Sequence, residues 1–139
     1  TGKLADSQTK RGKMFKKILI ANRGEIAVRI IRPCREMGIE TVVLYDESDM
    51  DSLHVRLADF CVRLPAPETF LDETAVFKIA QSQGVDAVHP GYGFLAESAP
   101  FAKACTEAGI TFIGPPAEVI ATVRAKVDVL QAVRQATRW

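Results

Sequence analysis

The chain has 139 residues, of which 47% are hydrophobic and 25% charged, and its formal net charge is +1. These values are typical of one globular domain with a core large enough to fold alone, and they exclude a chain that is disordered throughout. No window approaches the roughly 18 uninterrupted apolar residues of a membrane helix, and the N-terminus lacks the apolar stretch of a signal peptide, so we expect no membrane partner.

The N-terminal segment is strongly basic. The first 17 residues carry a net charge of +5, which leaves −4 for the rest of the chain. Such a run can contact nucleic acid or an acidic partner, but residues 1–14 contain no aromatic side chain to accompany the charges. We interpret residues 1–14 as a basic, flexible leader or a cloning remnant, expect no nucleic-acid partner, and assign residues 15–139 to one domain.

Short apolar runs alternate with segments of helical periodicity from residue 18 onward. Strands are predicted at residues 18–21, 41–45, 60–64, 85–88 and 110–113. Helices are predicted from about residue 24 to the stop at Gly38, at 54–58, 72–83 and 97–108, and as two further segments after the turn Gly114-Pro115-Pro116. The alternation indicates βαβ units, so the predicted fold class is α/β: a Rossmann-like open parallel sheet of about five strands with helices on both faces.

The loops that follow the strands carry the candidate functional residues, because ligands of open α/β sheets bind at the carboxyl ends of the strands. The first loop is Asn22-Arg23-Gly24-Glu25, in which Asn22 can cap the following helix and Gly24 permits a tight turn beside an anion. A strand-to-helix turn without a ligand explains the same residues, with Arg23 and Glu25 as solvated or paired charges. Both interpretations stay open at this point.

The loop after the fourth strand reads HPGYGFLAE and contains Gly91-x-Gly93-x-x-Ala96, which has the form of the dinucleotide fingerprint. A true fingerprint follows the first strand of its unit and needs an acidic residue at the end of the next strand. The next strand here ends in a Gly-Pro-Pro turn, so we do not expect a nicotinamide cofactor. A turn that needs two unhindered residues, with Tyr92 as ordinary packing, is the alternative.

The remaining reactive side chains form no recognisable catalytic or metal-binding set. His89 has one distant companion, His54, and no clustered carboxylate, which favours a hydrogen-bonded structural histidine. The three cysteines, Cys34, Cys61 and Cys105, are far apart and include no C-x-x-C pair. Neither a disulfide framework nor a zinc site is indicated, and we expect a reducing compartment.

Three longer stretches resemble the N-terminal domain of biotin carboxylase. They are KILIANRGEIAVRIIR at residues 17–32, DAVHPGYGFLAE at residues 86–97 and FIGP at residues 112–115, and their order and separation also fit that family. The resemblance covers roughly residues 15–133. The family includes bacterial biotin carboxylase and the corresponding parts of pyruvate, acetyl-CoA and propionyl-CoA carboxylases.

The resemblance implies a ligase that uses ATP and bicarbonate to carboxylate biotin on a carrier domain. In the family, a Rossmann-like pre-ATP-grasp domain precedes a lid domain and a C-terminal domain, and this chain resembles only the first. The catalytic carboxylates and the ligands of Mg²⁺ or Mn²⁺ belong to the other two domains, so we assign no catalytic residue and expect the isolated chain to be inactive. The implied partners are the remaining ATP-grasp domains, a biotin carboxyl carrier domain and a carboxyltransferase.

The resemblance also implies roles for residues that match the family by position. Lys126 aligns with a lysine that contacts ATP, although a solvated lysine is the ordinary interpretation of its place on a helix. Tyr92 and Gly93 match the loop that lines the pocket for biotin and bicarbonate. Arg32 and Glu36, one turn apart on the first helix, match a homodimer interface, and an i,i+4 surface pair is the competing interpretation.

The sequence departs from the family pattern at several positions. Pro33 lies inside the first helix, where a proline removes a hydrogen bond and costs about 3 kcal/mol or kinks the helix. Arg124-Ala125 stands in place of Gly-Asp before Lys126. A non-catalytic binding or assembly module that keeps the fold is therefore the alternative function. The choice of pyruvate or an acyl-CoA as acceptor, and of bacterial cytoplasm or mitochondrial matrix as compartment, stays open.

Overall fold

The computed structural model describes residues 15–114 and 117–136, without the side chains of residues 123, 124, 126 and 136. The basic leader predicted at residues 1–14 lies outside the described residues, as does the Pro115-Pro116 part of the predicted turn. Among the residues that are described, no helix combines the length and the apolar character needed to cross a membrane.

The described residues form five strands and five α-helices. The strands are β1 (Lys17–Ile20), β2 (Glu40–Tyr45), β3 (Phe60–Arg63), β4 (Ala87–His89) and β5 (Thr111–Phe112). The helices are α1 (Gly24–Glu36), α2 (Leu53–Leu57), α3 (Glu73–Ser82), α4 (Ala99–Glu107) and α5 (Ala117–Ala136). Short 3₁₀ turns occupy Glu47–Asp49, Pro67–Leu71 and Phe94–Glu97.

All strand pairs are parallel, and the strands lie in the order β3-β2-β1-β4-β5. The chain first proceeds from β1 outward through β2 to β3. It then crosses back, places β4 on the other side of β1, and continues outward to β5. The direction of winding therefore reverses between β1 and β4, and the predicted open parallel sheet is confirmed.

Helices cover both faces of the sheet, as predicted, because successive strand side chains point to opposite faces. In β1, Ile18 and Ile20 belong to the core beneath α1, which contributes Ile31. Leu19, between them, belongs to the core on the other face, with Phe101 of α4. Helix α2 packs on the α1 face through the partly buried Leu57, whereas α3 and α5 contribute Val76 and Ile120 to the α4 face.

Two predicted helix boundaries are wrong. Residues 117–136 form one helix where the sequence indicated two segments, because no glycine or proline lies within them to end a helix. Helix α4 begins at Ala99 rather than at residue 97. The reason is local, since the Ser98 hydroxyl accepts the Phe101 N–H over 3.2 Å and so caps the helix.

Helix α1 passes through Pro33 and continues to Glu36. Pro33 is exposed, and its carbonyl oxygen still accepts the Met37 N–H over 3.0 Å. The proline therefore does not end the helix. Its structural effect is the loss of one backbone N–H donor inside α1.

Candidate functional site

The reversal of strand order places two loops side by side at the carboxyl edge of the sheet. Ile20 at the end of β1 pairs with His89 at the end of β4, and the Ala21 N–H donates to the His89 carbonyl oxygen over 2.9 Å. After β1 the chain enters α1 on one face of the sheet, and after β4 it passes through residues 90–93 and the 3₁₀ turn Phe94–Glu97 into α4 on the other face. Such a divergence opens the crevice in which open α/β proteins bind ligands. Residues 90–93 are hereafter the β4 loop.

Two glycines give the β4 loop a backbone that other residues rarely adopt. Gly91 has a φ of +64°, and Gly93 has a φ of +114° with a ψ of −150°. A Cβ atom at Gly91 would overlap Asn22 Nδ2, whereas one at Gly93 would meet nothing within 4 Å. Gly91 is thus required for both conformation and close approach, and Gly93 for conformation alone.

Asn22 connects the β4 loop to residues 21–23 between β1 and α1, hereafter the β1 loop. Its Nδ2 donates to the Tyr92 carbonyl oxygen over 2.7 Å and to the Pro90 carbonyl oxygen over 3.4 Å, while Oδ1 accepts the Arg23 N–H over 2.9 Å. The expectation that Asn22 caps the first helix is wrong. The N-cap is Arg23, whose guanidinium has no acceptor for a capping hydrogen bond, while the Asn22 oxygen accepts the Arg23 N–H and the Asn22 nitrogen donates to the β4 loop.

Tyr92 and Gly93 contribute an exposed aromatic ring and two peptide N–H groups to the carboxyl edge of the sheet. The Tyr92 residue is 74% exposed, and the neighbouring Phe94 is 51% exposed. Within the described part of the chain, the peptide N–H groups of Tyr92 and Gly93 donate to no protein acceptor. Two free donors beside two exposed aromatic rings can bind a carbonyl or carboxylate oxygen next to an apolar surface. That biotin or bicarbonate binds here stays a prediction.

His89 accepts a hydrogen bond from the β4 loop. Its Nδ1 accepts the Gly91 N–H over 3.0 Å, and burial lowers the pKa of its imidazole. The lowered pKa favours the neutral imidazole, and its acceptor nitrogen is already hydrogen-bonded to Gly91. Both observations agree with the structural role predicted for His89. Across residues 15–114 and 117–136, no group of three or more His, Cys, Asp or Glu residues could hold a metal ion.

His54 is fully buried beneath the first turn of α1. Its Nδ1 accepts the Gly24 N–H over 3.3 Å, so the ring proton lies on Nε2, which donates to the Leu44 carbonyl oxygen over 3.2 Å. The imidazole therefore satisfies a backbone donor at the start of α1 and a carbonyl in β2. This side chain, which the sequence offered only as a distant companion of His89, therefore hydrogen-bonds both to the start of α1 and to β2.

Arg23 anchors the β1 loop on the side opposite to the β4 loop. Its guanidinium lies 3.3 Å from Asp46 Oδ2 and 2.8 Å from Asp49 Oδ1, and it stacks 4.7 Å above the centre of the Phe70 ring. The hydrogen bond from the Ser48 hydroxyl lowers the pKa of the buried Asp46 carboxyl, and Arg23 adds to this effect, while burial opposes it. The paired interpretation of Arg23 is therefore the correct one.

The contacts of Arg23 with Asp46, Asp49 and Phe70, hereafter the Arg23 cluster, are the main feature that sequence reasoning missed. An acidic loop at residues 46–49 follows the second strand, but nothing in the sequence states that β2 is the neighbour of β1. Once the two strands pair in parallel, their carboxyl ends meet, and the arginine after one strand lies beside the carboxylates after the other.

The other predicted site residues belong to helices rather than to the β4 loop. Lys126 belongs to α5, but its side chain lies outside the described residues. Arg32 and Glu36 are exposed on α1, and within the described residues no ion pair joins them. Arg32 also lines a groove of about 580 Å³ between α1 and the start of α2.

These features define a class: an open α/β domain of the Rossmann type, with a glycine-containing loop at the carboxyl edge of its sheet. The chain belongs to the family described as biotin carboxylase, N-terminal domain, whose sequence model matches residues 14–120. The resemblance noted in the sequence is thereby confirmed.

The relatives are much longer than this chain. Biotin carboxylase 1 of Bacillus subtilis is 52% identical over 126 residues, which cover 88% of this chain and 28% of that protein. The mitochondrial methylcrotonoyl-CoA carboxylase subunit alpha of Glycine max is 53% identical over 109 residues, or 76% of this chain and 15% of that protein.

Solved structures show the same fold. The biotin carboxylase domain dimer of the Hydrogenobacter thermophilus 2-oxoglutarate carboxylase, in complex with MgADP, ADP and bicarbonate, matches with a TM-score of 0.73 at 49% identity, over 78% of this chain and 24% of that chain. This chain therefore spans about a quarter or less of the length of these relatives.

Proposed function

We propose that this domain forms one wall of the active site of a biotin carboxylase, a ligase that uses ATP and bicarbonate to carboxylate biotin on a carrier domain. The observation that carries the proposal is the β4 loop, in which the Tyr92 and Gly93 N–H groups donate to no acceptor among the described residues and lie beside exposed rings at the carboxyl edge of the sheet. Bicarbonate and the ureido group of biotin both offer oxygen acceptors to such donors. The bicarbonate bound by the H. thermophilus relative supports this assignment.

The exposed apolar surface of α5 supports a larger assembly. Val129 and Leu130 are 62% and 67% exposed, and with Thr122 and Ala125 they line an open groove of about 520 Å³. Adjacent exposed apolar side chains of this kind mark surfaces that another part of a protein covers. We infer that the remaining ATP-grasp domains cover this surface and supply the catalytic groups and the Mg²⁺ or Mn²⁺ ligands, so that the isolated domain is inactive.

Lys126 is the proposed ATP contact, and its support is its position in the family. A lysine ammonium is a compact positive charge with three donors, which suits a phosphate oxygen. Its replacement by alanine should raise the KM for ATP.

A chimaera tests the function directly. The matching segment of B. subtilis biotin carboxylase 1 is replaced by this domain, and bicarbonate-dependent ATP cleavage is measured with free biotin. We expect an active enzyme in which Tyr92→Ala raises the KM for biotin or bicarbonate and Lys126→Ala raises the KM for ATP. Met37→Ala is the matched control, because Met37 is also exposed, at 58%, but lies at the far end of α1.

An inactive chimaera would contradict the assignment to a carboxylase. An active chimaera that is indifferent to Tyr92→Ala would leave the family intact and remove the role proposed for the β4 loop. Both outcomes are read from the same initial rates.

We also propose that the exposed face of α1 forms a homodimer contact through Arg32 and Glu36. The absence of an ion pair between these two described side chains leaves both charges available for a partner, and the H. thermophilus relative is a dimer. In the chimaera, Arg32→Glu should shift the sedimentation coefficient toward that of a monomer. The control Lys103→Glu, on the opposite face of the sheet, should not. Equal behaviour of the two variants would contradict the interface.

The compartment proposed is the cytoplasm of a bacterium or the mitochondrial matrix, since relatives of both kinds match. Both compartments keep thiols reduced, in agreement with the three free cysteines of the described chain. The carboxyl acceptor proposed is pyruvate or an acyl-CoA. The carboxyltransferase and the carrier domain, rather than this domain, would select it.

A further inference from the structure

The hydrogen bond from Asn22 acts on the peptide unit that carries the Gly93 N–H. Asn22 Nδ2 donates to the Tyr92 carbonyl oxygen over 2.7 Å. That carbonyl and the Gly93 N–H belong to one planar peptide, and no described peptide bond is cis. In a trans peptide the C=O and N–H bonds point in opposite directions. Holding the oxygen toward Asn22 therefore turns the Gly93 N–H away from the β1 loop and toward the open edge.

The β4 loop itself does little to fix this orientation. Glycine tolerates φ values of either sign, so the peptide between Tyr92 and Gly93 can rotate at low steric cost. The surroundings of Gly93 are open, and the Tyr92 ring is exposed. Among the described residues, Asn22 is the only side chain that hydrogen-bonds to this peptide. A rotated peptide would present a carbonyl oxygen where the N–H now stands.

The Asn22 carboxamide is itself held in one orientation. Its oxygen accepts the Arg23 N–H, and its nitrogen faces the carbonyl oxygens of Tyr92 and Pro90. The reversed carboxamide would bring three oxygens together and leave the Arg23 N–H without its acceptor. Behind it, Arg23 is fixed by its contacts with Asp46 and Asp49. The donor that reaches the β4 loop thus belongs to a rigid support.

We infer that Asn22 is a positioning residue for the reaction at this edge. Its carboxamide fixes the Tyr92–Gly93 peptide so that the Gly93 N–H donates to an oxygen of the bound ligand, a carbonyl or carboxylate oxygen of biotin or bicarbonate. The inference rests on the proposed function. It adds a residue, on a different loop, that determines whether the β4 loop offers a donor or an acceptor to the ligand.

The experiment uses the full-length chimaera and two variants of Asn22. Asn22→Asp keeps the size of the side chain and the acceptor for the Arg23 N–H, but it loses the donor to Tyr92. Asn22→Ala removes the whole carboxamide. The matched control is Gln81→Glu, the same amide-to-carboxylate change on the exposed surface of α3. KM and kcat are measured with free biotin, bicarbonate and ATP varied one at a time, and folding is checked by thermal unfolding.

We expect both Asn22 variants to raise the KM for biotin or for bicarbonate about tenfold, the equivalent of about 1.4 kcal/mol. The KM for ATP should stay within about twofold of the parent value. A merely structural role predicts a different pattern, in which less folded enzyme lowers kcat and every KM is unchanged.

The outcomes separate the inference from the function on which it rests. An active parent chimaera whose Asn22 variants behave like Gln81→Glu would overturn the positioning role alone. Loss of folding in both Asn22 variants would overturn it too, in favour of a structural role. An inactive parent would remove the proposed function and this inference with it.

Discussion

Replacing Gly91 by alanine tests the contact between the β1 and β4 loops, and the chain contains a matched control for it. Gly84, after α3, has the same φ of +64° as Gly91. A Cβ atom at Gly84 would meet nothing within 4 Å, whereas one at Gly91 would overlap Asn22 Nδ2 and lie 2.9 Å from Asn22 Cγ and Cβ. The two substitutions therefore introduce the same backbone strain and differ in the steric conflict with Asn22.

The expected magnitudes follow from that difference. Placing an L-residue in the left-handed region costs about 1–2 kcal/mol, and the lower entropy of the unfolded alanine chain returns part of it, so Gly84→Ala should cost about 1 kcal/mol. At Gly91 the methyl group must also displace Asn22, which overpacks the site and removes the hydrogen bond to Tyr92. These two effects should make Gly91→Ala worse than Gly84→Ala by about 1–3 kcal/mol.

Urea unfolding followed by circular dichroism measures both free energies of unfolding. Repeating the Gly91 substitution in an Asn22→Ala background should shrink its excess cost, because Nδ2 and Cγ are then gone while the contact with Cβ remains. Equal destabilisation by Gly91→Ala and Gly84→Ala, within about 0.5 kcal/mol, would show that a methyl group at residue 91 does not conflict sterically with Asn22.

The remaining predictions concern α1, His89 and Arg23. Pro33→Ala should raise the free energy of unfolding, by up to about 3 kcal/mol, because it restores an N–H inside an exposed helical turn; a neutral or destabilising result in urea unfolding would contradict this. Burial lowers the pKa of His89, so its contribution to stability is complete above the ordinary value of 6.5 and is lost as the pH falls through the lowered native pKa. His89→Gln should therefore reduce the change in the free energy of unfolding between pH 7.5 and 5. An unchanged pH dependence would contradict a buried, neutral imidazole at this position. Arg23→Lys keeps the charge but loses the two-pronged contact and the stacking on the ring, so its urea midpoint should fall below that of the exposed control Arg29→Lys, and equal midpoints would show that the Arg23 cluster is not stabilising.

The local elements could be predicted because short-range physics specifies them. The buried strands are continuous apolar runs, and glycines follow several of the helices, so the alternation of strand and helix is visible in the sequence. The glycines of the β4 loop are equally visible, since positive φ angles such as those of Gly91 and Gly93 favour glycine wherever the chain folds. The start of α4 was less accessible, because it depends on the single capping hydrogen bond of Ser98, whereas the continuity of α5 agrees with a lack of glycine and proline that the sequence already shows.

The sequence by itself determined that polar and glycine-rich loops follow the strands of a parallel sheet. Only the tertiary structure decided which loops meet. The order β3-β2-β1-β4-β5 places Asn22 against the carbonyl of Tyr92, 70 residues away, and Arg23 against Asp49, 26 residues away. No local pattern encodes these pairs, because strand order results from the packing of whole helices and strands on both faces of the sheet. The contacts of Asn22 and Arg23 at the candidate site therefore depend on the strand order, whereas Gly91, Gly93 and Tyr92 can be identified in the sequence.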